Sequence, residues 1–212
     1  MRITLLTTAL LASGIASAAV PVDGWYASAF GGYTYIPPNI YNFAFGVFRD
    51  EVKYNNGYNV GGRIGYQSNP IRYEAEYTYL RAETKRFNLN FITQLNVTGF
   101  TSASLIMANI YYDCPEMLPA IAPFLGLGIG YANLKAELNS TGPFVPSYFT
   151  TSDNAFAYQG TVGLTYNFSE NYAANLAYRY VATDNSSNFG KVYQAHLASV
   201  GAIYRFDQGN YK

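Results

Sequence analysis

The feature that most constrains this chain is a period of two that returns eight times. The stretch IRYEAEYTYL, residues 71 to 80, is two interleaved series: Ile71, Tyr73, Ala75, Tyr77 and Tyr79 against Arg72, Glu74, Glu76, Thr78 and Leu80. Such alternation marks a β-strand with two unlike faces, because successive side chains leave opposite sides of the pleat. Seven more segments follow the rule: WYASAFGGYTY (25 to 35), YNVGGRIGYQ (58 to 67), SASLIMANIYY (102 to 112), PFLGLGIGYANL (123 to 134), AFAYQGTVGLTYNF (155 to 168), YAANLAYRYV (172 to 181) and VYQAHLASVGAIYRF (192 to 206). Past the N-terminus, no stretch carries the three-and-four spacing of an amphipathic helix.

Two opposite folds satisfy this pattern. In a soluble sheet the tyrosines go inward and the charges outward; in a membrane barrel the reverse holds. Charged residues make up 12% of the chain, half the usual share of about 25% for soluble domains, while aromatics reach 17% and tyrosine alone counts 22. Mean hydropathy is −0.03, and past the N-terminus no apolar run reaches the roughly 18 residues of a spanning helix. The polar faces are sparse: Arg63, Arg72, Arg179 and Arg205, Glu74 and Glu76, short polar side chains and glycine. Gly126, Gly128 and Gly130 share one face of their strand, opposite Leu125, Leu127, Ile129 and Tyr131, which suits a crowded interior. Aromatics gather at strand ends, with Tyr33, Tyr35, Tyr58, Tyr79 and Tyr180 toward the long connections. Tyr66, Tyr73, Tyr166, Phe168, Tyr172, Tyr204 and Phe206 stand toward the short ones. Two girdles around a band of Ala, Val, Leu and Ile predict lipid outside and charge inside. A lipocalin-like soluble barrel would need an apolar interior, against Arg63, Arg72, Glu74, Glu76 and Arg179.

The connections agree. Ser68-Asn69 and Ser169-Glu170-Asn171 are tight turns with the expected residues. The stretches 36 to 57, 81 to 101, 135 to 154 and 182 to 191 are long, and long alternates with short as in outer-membrane barrels. The segment DCPEMLPAIA, 113 to 122, is longer than a minimal turn. MRITLLTTALLASGIASAA opens with Arg2, an apolar stretch and the small residues Ala16-Ser17-Ala18. It is expected to be a signal peptide over 1–18, leaving 19–212 as the barrel domain. Cys114 has no intrachain partner and reads as a tolerated thiol. No cluster has metal-ligand spacing, no cofactor is expected, and a net charge of zero gives no reason to expect nucleic acid.

Register predicts what the lumen holds. With Ser68-Asn69 as a two-residue loop, Arg63 opposes Glu74; slipped by two, it opposes Glu76. Across Ser169 to Asn171, Arg179 opposes Thr161. A buried charge left alone costs several kcal/mol, so Arg63, Arg72, Glu74, Glu76, Arg179 and Arg205 are expected to form one network. It is either a structural plug or, on a sharper reading, a gate.

GWYASAFGGYTY, PIRYEAEYTYL, PFLGLGIGYANL, AYRYV and the closing VGAIYRF together resemble the small eight-stranded outer-membrane β-barrels of Gram-negative bacteria. These include the opacity-type surface proteins and the transmembrane domain of OmpA. The resemblance implies an all-β, eight-stranded antiparallel up-and-down transmembrane barrel in the outer membrane, with short periplasmic turns, long outer loops and both chain ends in the periplasm. It also implies insertion by the barrel-assembly machinery, with Tyr204 and Phe206 as the assembly signal ahead of DQGNYK. Outer-membrane lipid and lipopolysaccharide are the surroundings expected of such a barrel.

Function is less constrained, since one fold hosts several. The outer loops carry aromatics that solvent-facing loops do not need: Tyr41, Phe43, Phe45 and Phe48, then Phe87 and Phe91, then Phe144, Tyr148 and Phe149. They suit a surface protein, anchor or adhesin, meeting a host or environmental ligand. They suit equally strands that continue above the membrane as hairpins and pack these residues together. A small porin-like pore is the alternative, opposed by a lumen that eight strands leave just wide enough for side chains. A lipid-modifying enzyme would need a base beside a nucleophile. His196 is the one histidine, and Ser199, three positions on, falls on the opposite face.

Overall fold

The computed structural model describes residues 23–43, 48–89, 92–93, 95–114, 121–141, 147–184 and 192–206. Residues 1–18, the expected signal peptide, lie outside them. The described residues hold eleven strands and no helix: β1 (Gly24–Tyr35), β2 (Asn39–Phe43), β3 (Phe48–Tyr54), β4 (Gly57–Ser68), β5 (Ile71–Leu89), β6 (Ile92–Thr93), β7 (Thr98–Asp113), β8 (Ile121–Ser140), β9 (Ser147–Asn167), β10 (Tyr172–Thr183) and β11 (Gln194–Arg205). Eight of them, β1, β4, β5, β7, β8, β9, β10 and β11, pair antiparallel with their neighbours in chain order, and β11 pairs back onto β1. The sheet is a closed eight-stranded up-and-down barrel, as the sequence predicts.

Its strands are tilted. Followed across paired residues, Gln67 leads to Arg72, Tyr111, Gly126, Thr161, Arg179, Leu197, Thr34 and finally Gly57, ten residues along the strand it left. A row of partners therefore spirals up the wall, as closure of a barrel with strands tilted by roughly 35–45° requires.

The two-residue period sorts the wall into two surfaces. In β5, Arg72, Glu74, Glu76, Thr78 and Leu80 are each 5% exposed or less, whereas Tyr73 and Tyr77 are 52% and 50% exposed. Leu125, Leu127, Ile129 and Tyr131 of β8, Val162 and Leu164 of β9, and Val200 of β11 are likewise exposed outward. At the rim of short turns the rings touch one another: Trp25 with Tyr66 at 5.5 Å, Tyr172 with Tyr204 at 5.2 Å, and Tyr204 with Phe206 at 5.3 Å. Tyr33, Tyr35, Tyr58, Tyr131, Phe156 and Tyr158 face outward near the other rim. An apolar belt all round a closed sheet, with aromatic girdles at both edges, is a surface made for hydrocarbon.

Three details differ from the sequence reading. The turn after β4 is Asn69-Pro70, because Ser68 pairs with Ile71; of the two registers considered, the one found sets Arg63 against Glu76. The strands beginning near 71, 102, 123 and 155 are longer than the alternation alone suggests. β5, β7, β8 and β9 run 19, 16, 20 and 21 residues, against 12 for β1, β4, β10 and β11. The excess stands at the rim away from the short turns, where β2 pairs with β3, β3 with the far end of β5, and β6 with β5. Finally, the 113 to 122 segment is partly wall: Asp113 pairs with Phe124, and the amide of Cys114 donates to the carbonyl of Pro123.

The glycines make room inside. A Cβ on Gly126 would overlap the ring of Tyr111, one on Gly128 would overlap Oδ1 of Asn109, and one on Gly61 the ring of Phe30. Lumen side chains from neighbouring strands occupy those volumes.

Candidate functional site in the lumen and long hairpins

The inward face is built in two tiers. Nearer the short turns it is charged, and all six ionised residues singled out in the sequence meet there. Arg179 of β10 donates through Nη1 to Oε1 of Glu76 at 2.5 Å, and Arg63 of β4 donates through Nε to Oε2 of the same carboxylate at 2.7 Å. Nε of Arg63 also lies 3.5 Å from Glu74 Oε2, and Nη1 of Arg72 lies 3.2 Å from Glu74 Oε1. Nε of Arg72 continues to Asp113 Oδ2 at 2.8 Å. Gln67 joins Asp113 to Arg205, donating to the carboxylate at 3.4 Å and accepting from Arg205 Nε at 3.3 Å. Arg205 also donates to Asn167 at 2.9 Å.

Neutral groups complete the set. The Tyr26 hydroxyl donates to Glu74, the Thr78 hydroxyl to Glu76, and Arg179 donates to Ser199 and Asn59. Arg179 is 0% exposed. The ring of Phe30 lies between two guanidiniums, 4.2 Å from Arg63 and 4.4 Å from Arg179, and Arg72 lies 5.0 and 4.9 Å from the rings of Tyr111 and Phe124. Buried arginines are held by shared carboxylates and aromatic faces together, which offsets their desolvation. Tyr26, Phe30, Tyr111, Phe124 and Asp113 are members that the sequence reading does not single out. Their parity places the four rings inside, but aromatic type alone suggests lipid, and Asp113 reads as part of a turn.

Nearer the hairpin rim the same inward face turns apolar. Leu80, Ala82, Leu105, Met107, Leu134, Ala157, Val181 and Leu197 are buried as one cluster with Ile36 and Tyr193, and Tyr54 packs against it. Burial pushes the phenols of Tyr193 and Tyr54 above their ordinary range. The lumen is therefore charged at one end and an oil-like core at the other.

The loop residues scatter. Phe45, Phe91 and Phe144 lie outside the described residues; Tyr41, Phe43, Phe48, Phe87 and Phe149 fall on the backbones of β2, β3, β5 and β9. Tyr148 of β9 is 73% exposed, and Ile92 and Leu95 near the β5–β7 tip are also exposed. The tips are tied together, since the amide and hydroxyl of Thr141 both donate to the carbonyl of Leu95. His196 stands in the girdle at the hairpin rim with Tyr35, Tyr178 and Tyr180, its Nδ1 2.6 Å from the Tyr178 hydroxyl. Ser199 is on the other side of the wall, in the lumen. Among the described residues no group of three or more His, Cys, Asp or Glu could hold a metal.

A family model described as outer membrane protein beta-barrel domain matches residues 3–206. The chain belongs to that family. This outer-membrane barrel is similar in fold to Neisserial surface protein A, at 16% identity and TM-score 0.56, over 86% of this chain and 97% of that one. OprG from Pseudomonas aeruginosa is similar at 12% identity and TM-score 0.53, over 88% and 99%. A major outer membrane protein from Thermus thermophilus is similar at 11% identity and TM-score 0.53, over 86% and 99%. In sequence, an uncharacterized protein of Brucella abortus is 31% identical over 90 residues, 40% of this barrel, and the match spans 31% of that relative's length. An uncharacterized protein of Brucella melitensis matches to the same extent. The barrel is an outer-membrane protein.

Proposed function

We propose that the barrel is a sealed, non-catalytic outer-membrane anchor whose hairpins face the exterior and serve as an adhesive surface for a host or environmental ligand. The observation that carries this is the filled lumen. A cross-linked charge network occupies one tier and a packed apolar core the other, so solute flux has no lumen to use. The lengthened hairpins, with Tyr148, Ile92 and Leu95 exposed at their ends, supply apolar surface beyond the lipid belt.

The orientation follows from the usual asymmetry of such barrels, with short turns and both chain ends in the periplasm and long hairpins outside. Tyr204 and Phe206, edge to face at the end of the closing strand beside the short-turn rim, suit recognition by the barrel-assembly machinery. His196 faces lipid and Ser199 faces the lumen, an arrangement that gives no base–nucleophile pair.

The test is single-channel recording of the refolded protein in a planar bilayer, paired with adhesion of cells carrying wild type or a deletion of 37–56. The expected result is an electrically silent membrane and a deletion that folds but does not adhere. Discrete, reproducible conductance steps would overturn the sealed anchor in favour of a pore. Undiminished adhesion would remove that hairpin from the binding surface.

A further inference from the structure

Among the described residues, charge on the outer face of the wall is confined to one side. Among the outward-facing described positions of the wall strands, charged residues are Arg81, Glu83 and Lys85 of β5 and Lys135 and Glu137 of β8; β1, β4, β10 and β11 present none. Two of the cations share a row. Arg81 and Lys135 both stand opposite Ser102 of β7, one on each side. Neighbouring strands are about 4.8 Å apart, so the two backbones are about 10 Å apart with a hydroxyl between them. Ser102 is 6% exposed although it faces outward, as a short side chain between two long ones would be.

Depth is set by the neighbours. Across the strand on its other side, Arg81 pairs with Tyr58 of the outer girdle, and Tyr79 lies two residues below it on the same face. The row therefore begins just above the ring of aromatics that ends the hydrocarbon, at headgroup level. The Arg81 guanidinium lies over the Phe100 ring, 3.9 Å from its centroid, which holds the fork against the wall. Among the described residues no carboxylate shares the row; Glu83 and Glu137 both stand opposite Phe100, one row further out.

A fixed guanidinium, a mobile ammonium and a hydroxyl between them are donors suited to a phosphate monoester. We propose that the Arg81–Ser102–Lys135 row docks a phosphate of one lipopolysaccharide molecule, so that the barrel carries an oriented lipid on its β5–β8 side. This rests on the outward orientation of the hairpins proposed above. The acidic row beyond it bounds the phosphate on its outer side and leaves the upper positions to sugar hydroxyls.

The test uses the full chain in discs of neutral lipid, titrated with lipopolysaccharide or its dephosphorylated form and read by native mass spectrometry. Arg81→Gln and Lys135→Gln should each weaken binding about fivefold, and the double variant about 25-fold. Lys85→Gln should bind within about twofold of wild type, all variants keeping the heat-modifiable band of a folded barrel, and excess inorganic phosphate should not compete. Equal binding by the double variant, equal binding of dephosphorylated lipid, an equal loss in Lys85→Gln, or displacement by inorganic phosphate would each overturn the site. Orientation is read separately, by impermeant maleimide on intact cells carrying Tyr148→Cys in a Cys114→Ser background. Absence of labelling removes the orientation and with it lipopolysaccharide as the occupant; labelling with unaltered binding removes only the site.

Discussion

Glu76 is the residue on which the lumen turns. It accepts from Arg179, Arg63 and Thr78 at once, so removing its charge strands two buried guanidiniums. Glu76→Gln is expected to destabilise the barrel by about 3 to 5 kcal/mol, read as a lower urea midpoint for loss of the heat-modifiable form. Replacing the pair together, Glu76→Leu with Arg179→Met, should recover part of that loss, because Arg179 no longer leaves an unpaired charge while Arg63 keeps Glu74 at 3.5 Å. A double variant as unstable as the sum of its parts would show that the pair is not coupled. The glycines give a second contrast at this scale. Gly128→Ala places a methyl on Asn109, which is itself held by Gln159 at 2.6 Å, and should cost about 1 to 3 kcal/mol. Gly160→Ala meets nothing within 4 Å on the lipid side and should leave the midpoint unchanged.

At the scale of elements, β5, β7, β8 and β9 do two jobs in one continuous run. Their lower halves are wall, and their upper halves are hairpins that rise past the belt. Deleting 137–150 from the β8–β9 hairpin is expected to leave a folded, heat-modifiable barrel, since the wall rows below retain both neighbours. Loss of the folded band would show that the hairpins help hold the wall. The cap beneath these hairpins carries a pH dependence. Tyr54 and Tyr193 stay neutral in the folded protein at a pH where the unfolded chain ionises them. Their stabilisation is whole below about pH 10 and falls as pH rises beyond it. The thermal midpoint of wild type should therefore drop more steeply between about pH 10 and 11.5 than that of Tyr54→Phe/Tyr193→Phe.

These elements also mark how far the sequence can be read. Parity alone assigns every side chain of 71 to 80 to its face, because a one-residue slip would turn Arg72, Glu74 and Glu76 into hydrocarbon. It does not say where lipid ends, since a hairpin above the membrane alternates much as a strand within it does. The full lengths of β5, β8 and β9 are therefore not legible in it. The upper lumen escapes for a related reason: Leu80, Leu105 and Leu197 lie on the polar parity, and only packing across strands joins them into a core. The register of Arg63 stays open between Glu74 and Glu76, because the choice depends on which two residues make the turn.

For the whole molecule, the closing pair matters most. The amide of Phe206 donates to the carbonyl of Trp25 at 2.9 Å, and β1 and β11 pair from Tyr26–Arg205 to Tyr35–His196. β1 is thus completed only by β11, and the contact with the longest loop to close is the one without which two edges stay open. No truncated version of this wall is a smaller barrel. A ribosome that has delivered β1 to β10 without β11 has delivered nothing that can stand in a membrane. The chain must be kept from pairing with others until β11 arrives, and its folding has to be an event rather than a progression.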